Sequence, residues 1–141
     1  MTEQLAAALA AEEAAIYAYG VIGVHLTDAD EVSRARACEL EHRRRRDELV
    51  DRLDRIQAST APAPAAYQLP FEVTDRESAL KLAVHVEDGV AQAWRALLPV
   101  TEGADRVDSL SYLTDSAVRA TRWRRIAEVT PLTMPFPGRP G

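Results

Sequence analysis

"CELEHRRRRDEL", residues 38–49, is the stretch on which the fold turns. Around it, apolar residues recur every three or four positions, the mark of an amphipathic helix. At heptad spacing the seam reads Val32, Ala35, Glu39, His42, Arg46, Leu49, Leu53, Ile56. Its ends are apolar, and its middle holds an acid, an imidazole and a guanidinium. Buried charge is costly unless it is paired and hydrogen-bonded. Other helices must therefore supply partners at the same height, which predicts a bundle with a polar layer across its middle.

Working outward, pattern and caps predict three further helices and no strand. The first spans about Thr2 to Leu26, with Thr2 as N-cap and a seam of Leu5, Leu9, Glu12, Ile16, Tyr19 and Gly23. Glu13 lies beside Glu12 and could serve in its place. The second helix, which holds the quoted stretch, spans about Ala29 to Ala58, capped by Asp28 with Glu31 three residues on. The third opens on the capping pattern Thr74-Asp75-Arg76-Glu77 and runs to about Leu98, where Pro99 stops it. Its seam is Leu80, Val84, Glu87, Ala91, Trp94 and Leu98. The fourth begins near Asp105 or Asp108 and ends before Pro131, with Arg119, Arg122, Arg124 and Arg125 toward its negative end.

The connections fix the topology. Residues 59–73 form a Pro-rich linker of about fifteen residues, which at roughly 3.3 Å each can span the length of a bundle. That permits a crossover setting the second and third helices parallel, the ferritin-like arrangement. Tyr67, Leu69 and Phe71 are expected to pin it. Residues 131–141 form an extended tail whose Met134 and Phe136 could dock on the bundle. The expected architecture is all-α: one ferritin-like four-helix-bundle domain over residues 1–141, with a long crossover between helices 2 and 3 and an extended C-terminal tail.

Composition narrows the function classes. The net charge of −5 argues against nonspecific nucleic-acid or anionic-membrane binding. One cysteine excludes an internal disulfide and fits a reducing cytoplasm. No run of 18 uncharged apolar residues occurs, so no membrane span is expected. The run Arg43–Arg46 encircles its helix, because successive residues point about 100° apart. Arg43, Arg44 and Arg45 are expected on a solvated face, paired at i, i+4 with Asp47, Glu48 and Glu41.

The polar layer has two readings. Carboxylate-bridged metal pairs in bundles take a Glu from each of two helices and Glu-x-x-His from the other two. Glu39 and His42 form one such motif, and Glu12 or Glu13 with Glu87 would complete three helices. Iron or manganese could then bind, and oxygen react there. The fourth helix has no histidine, and Arg119 or Arg122 falls where its ligand should be. The preferred reading is a metal-free ion network, with Glu12, Glu39 and Glu87 neutralised by Arg46, Arg122 and His42. Tyr19 flanks the layer and could donate to a carboxylate. A small acidic or aromatic ligand held by Arg46 and Arg122 is a further possibility.

The chain resembles a family of small ferritin-like bacterial domains of unknown function. The resemblance rests on "EEAAIYAYG" (12–20), "EHRRRRD" (41–47), "YQLPF" (67–71), "VRATRWR" (118–124) and "FPG" (136–138). The family pattern opens its first motif with Glu-His where this chain has Glu12-Glu13, so one histidine is missing. It keeps the residues matched by His42 and Arg46 and asks for no acid at Glu39. The resemblance implies a ferritin-like bundle and brings no activity, substrate or cofactor. The function expected is a non-catalytic domain or one with a degenerate metal site, self-associating as a homodimer. The rival is an iron- or manganese-binding oxidase or iron-handling protein.

Overall fold

Four helices, α1 (Thr2–Val24), α2 (Ala29–Arg55), α3 (Arg76–Arg95) and α4 (Gly103–Ala127), make up a computed structural model that describes all 141 residues and contains no strand. A 3₁₀ turn, Leu98–Val100, joins α3 to α4. Asp28 caps α2, its carboxylate accepting from the Glu31 N–H at 3.0 Å. The α3 cap lies one residue later than expected: Asp75 accepts from the Ser78 N–H at 2.8 Å, and Ser78 answers with its hydroxyl. A shorter side chain at the third position closes the same box. Thr2 lies inside α1 and caps nothing, the cap position being Met1.

Contacts across the bundle fix the helix directions. Leu5 and Leu9 of α1 cluster with Leu49 and Leu53 of α2, while Tyr19 and Ile22 cluster with Ala35 and Cys38. The two helices are therefore antiparallel. Glu12 meets Trp94 and Tyr19 meets Glu87, so α3 is also antiparallel to α1. It follows that α2 and α3 run parallel, and the segment between them travels the length of the bundle. Asp88 pairs with Arg124 and Trp94 packs on Tyr112, which makes α4 antiparallel to α3. Helix α1 packs on α2 and α3, and α3 packs on α4. The gap between α2 and α4 is bridged mainly by long side chains, chiefly arginines.

The crossover is held where aromatic residues were expected to hold it, and in one place by an acid. Tyr67 packs on Tyr17 with ring centroids 5.2 Å apart, and its hydroxyl donates to Glu13 at 3.4 Å. Leu69 packs on the core, and Phe71 stays partly exposed beside His85. The tail is pinned by glycine. Gly138 has φ +77°, and a Cβ there would come within 2.7 Å of the Ala91 carbonyl oxygen. Arg95 donates to the Pro137 carbonyl at 2.8 Å. Phe136 points outward and is 58% exposed, contrary to the expected docking.

Two apolar clusters fill the ends of the bundle. One gathers Leu5, Leu9, Leu49, Leu53, Trp94 and Leu97; the other Tyr19, Ile22, Leu26, Ala35, Leu80 and Leu82. Each fully buried leucine adds roughly 1.5–3 kcal/mol of transfer free energy. By length and composition alone, α1 is apolar enough to cross a membrane, although no such span was expected from the sequence. Half of that stretch is buried inside the bundle, with Glu12 at its centre.

Candidate functional site

Between the two clusters lies the charged layer. Glu12, His42, Arg45 and Glu87 are all fully buried. They come from α1, α2 and α3, and α4 closes the layer with Ser116 and Trp123. His42 is its centre. Nδ1–H donates to Glu12 Oε2 at 2.5 Å, and Nε2–H donates to both oxygens of Glu87 at 3.0 Å. A neutral imidazole has one donor and one acceptor, whereas ionised carboxylates only accept. Carboxylates on both ring nitrogens therefore call for the imidazolium. Burial works against that charge, but the Glu87 charge and the hydrogen bonds that His42 donates to Glu12 and Glu87 outweigh it and lift the His42 pKa to about 9.

No buried side-chain nitrogen or oxygen of the layer is left without a hydrogen-bond partner. Trp94 Nε1–H donates to Glu12 Oε1 at 2.6 Å, and the Arg45 guanidinium lies 3.7 Å from the same oxygen. Tyr19 donates to Glu87 at 2.7 Å and accepts from Trp123 Nε1–H at 2.9 Å. Burial, and then the Glu87 charge, push the Tyr19 hydroxyl well above its ordinary range, so it remains a donor. Arg45 donates to Ser116 Oγ at 2.9 Å, to Glu41 at 3.1 Å and to Asp115. The four buried charged groups sum to zero, with Glu41 and Asp115 at the rim. Hydrogen bonds from Arg44, with the Arg45 charge behind them, hold the Glu41 carboxyl down at about 2.

The expected site residues divide. Glu12, His42, Glu87 and Tyr19 are brought together. Glu13, Glu39, Arg46 and Arg122 are not. Glu13 points toward the crossover and accepts from Tyr67. Glu39 lies at the surface of α2, 3.6 Å from Arg43. The Arg46 side chain is 32% exposed and pairs with Asp47. Arg122 is exposed on α4 and makes no ion pair. The observed seam of α2 is Ala35, Cys38, His42, Arg45, Leu49 and Leu53. It shares Ala35, His42, Leu49 and Leu53 with the heptad reading and takes the other neighbour in between. Cys38 and Arg45 therefore replace Glu39 and Arg46. Arg45, expected on a solvated face, is fully buried, although its pairing with Glu41 is present. Arg43 pairs with Glu39 in place of Asp47.

The geometry does not fit a carboxylate-bridged metal pair. The Glu-x-x-His motif is split, because Glu39 and His42 point to different surroundings. Both His42 nitrogens already face carboxylates, and a guanidinium adjoins Glu12. No group of three or more His, Cys, Asp or Glu side chains is arranged to hold a metal ion.

Residues 4–141 match the family described as Domain of unknown function (DUF4439). The chain belongs to that family. It is also similar to a solved structure from Mycobacterium tuberculosis, a conserved hypothetical protein, rv2844, at 39% identity and a TM-score of 0.83. The match covers 88% of this chain and 94% of the other. No curated protein matches the sequence. The family is described only as a domain of unknown function, and the solved structure only as a conserved hypothetical protein.

Proposed function

We propose that this is a non-catalytic, ferritin-like helical domain in which a metal-free charged layer stands where related bundles hold metal. The layer fixes helix register, and the outer faces bind partners. The parallel placement of α2 and α3 around a long crossover supports the ferritin-like assignment. The observation that carries the non-catalytic reading is His42 itself, fully buried, with each ring nitrogen committed to a carboxylate of a different helix. An imidazolium so held has no lone pair for a metal and no path to a substrate. Hydrogen-bonded buried charge costs little while every partner is present and much when one is lost, which is how such layers specify register. In this reading the domain is cytoplasmic and self-associates as a homodimer through exposed apolar side chains such as Leu40 and Val24, which sedimentation would test.

The decisive experiment is elemental analysis of untagged protein, followed by anaerobic ferrous titration and exposure to air. No bound iron or manganese and no ferric absorption band are expected. About one or two metal ions per chain, lost on His42→Ala, would restore the oxidase reading and end this one.

A further inference from the structure

The tail and helices α3 and α4 enclose a groove of about 640 Å³ that shares no residue with the charged layer. Its floor is apolar: Ala91, Leu110, Leu113, Ala117 and Met134. Its rim is cationic. Arg95, Arg122, Arg124 and Arg125 line it, against the single carboxylate of Asp88. Arg124 is committed to Asp88, and Arg95 is held by the Pro137 carbonyl. The Arg122 and Arg125 side chains make neither an ion pair nor a hydrogen bond, and both residues are exposed at the mouth. Two free guanidiniums over an apolar floor, in a chain of net charge −5, are a local reversal of sign.

The groove is a built feature. Its outer wall is the tail, and the tail closes on α3 because Gly138 allows backbone contact with Ala91 that a Cβ would block. Small-molecule sites typically measure about 300–1,000 Å³, mostly apolar with a few polar groups that orient the ligand. Guanidinium forks match carboxylates in geometry and charge.

We propose that this groove binds a small organic monocarboxylate with an apolar body, of the fatty-acid class. The carboxylate pairs with Arg122 and Arg125, and the hydrocarbon lies on Ala117, Leu113 and Met134. Neutral molecules of the same shape lose the guanidinium pairing, and small inorganic anions lose the floor.

The test is a titration of the full chain with cis-parinaric acid, followed by its fluorescence, alongside its methyl ester. Saturable binding near one probe per chain is expected, with the ester weaker by about tenfold or more. Arg122→Glu/Arg125→Glu should weaken the acid by a similar factor and leave the ester unchanged. Both side chains are exposed, so that variant is expected to keep its fold. Ala117→Trp, which fills the floor, should abolish binding of acid and ester alike. The proposal is overturned by no saturable binding by the wild-type chain, by equal affinity for acid and ester, or by a charge-reversed variant that binds the acid as well as before. In the last case the arginines serve only the α4 dipole. Loss of probe as the protein is concentrated into a dimer would also overturn it, since a second copy would then be the occupant.

Discussion

Leu49 and His42 lie two turns apart on the same face of α2, both fully buried, and they are held by different physics. Leu49 belongs to an apolar cluster in which any neighbour of suitable shape would serve. Its contribution is non-directional and scales with area removed from water. His42 donates only to carboxylates, in two fixed directions, on two other helices. A slide of α1 or α3 along its axis, without rotation, would leave most leucines buried among carbon but would strand an imidazolium or a carboxylate. In the proposed reading the apolar ends supply the driving force for folding, and the charged middle selects one arrangement among those the ends tolerate.

The largest test of that contrast is His42→Ala. It leaves Glu12 and Glu87 buried without their shared cation, and breaking a buried pair typically costs about 3–5 kcal/mol. The expected fall in melting temperature is about 10 °C for a domain of this size. Arg45→Ala should act in the same range, because Glu12, Ser116 and Asp115 all lose a partner. A shift within about 2 °C for both variants would mean that the layer contributes nothing to register.

Leu49→Ala should cost somewhat less, about 3 kcal/mol from lost transfer and the cavity left behind. What separates the two positions is response to pH. Urea denaturation of Leu49→Ala at pH 6 and at pH 9.5 should show the same penalty at both. The wild-type chain itself should weaken as pH rises. The His42 pKa is about 9 in the folded chain, against an ordinary value of 6.5. The stabilisation is thus full below pH 6.5, falls between 6.5 and 9, and is gone above about 9. At 1.36 kcal/mol per unit this amounts to at most about 3 kcal/mol. In His42→Ala that pH dependence should disappear. Its persistence would assign it to another group.

Much of this arrangement was legible in the sequence, and the part that was not has a physical cause. Four helices, the direction-setting crossover and a polar layer at common height all follow from periodicity, caps and linker length. So do Glu12, His42, Glu87 and Tyr19. The departures that change the layer's membership lie on α2 and share one origin, and the same one-position shift puts Ala15 and Ile22 of α1 and Ala83 of α3 where Ile16, Gly23 and Val84 were expected. From His42 the next buried position is either three or four residues on, and heptad counting chose four. Cys38 held the missing signal: beside Glu39 it is the apolar choice, and a seam through Cys38 and His42 continues to Arg45. The polyarginine run hid this, because all four arginines look alike until their partners are known. The fourth-helix contribution was beyond reach, since Ser116 and Trp123 carry no recognisable polar motif.

The smallest expected effect is the sharpest check on that register. Arg46 differs from Arg45 only by one step around α2, about 100°. Its guanidinium pairs with Asp47, which is itself 68% exposed, and exposed ion pairs contribute about 0–1 kcal/mol. Arg46→Ala is therefore expected to change stability by no more than about 0.5 kcal/mol, with no effect on the pH dependence carried by His42. Glu39→Ala should be as mild, its Arg43 contact being a solvated i, i+4 pair. If Arg46→Ala instead destabilised as strongly as Arg45→Ala, α2 would have to present its other edge to the core. Glu39 would then turn inward beside His42, and the Glu-x-x-His motif would be whole. Two alanine variants one residue apart thus decide between a closed ion network and a bundle that keeps a metal-ligand face.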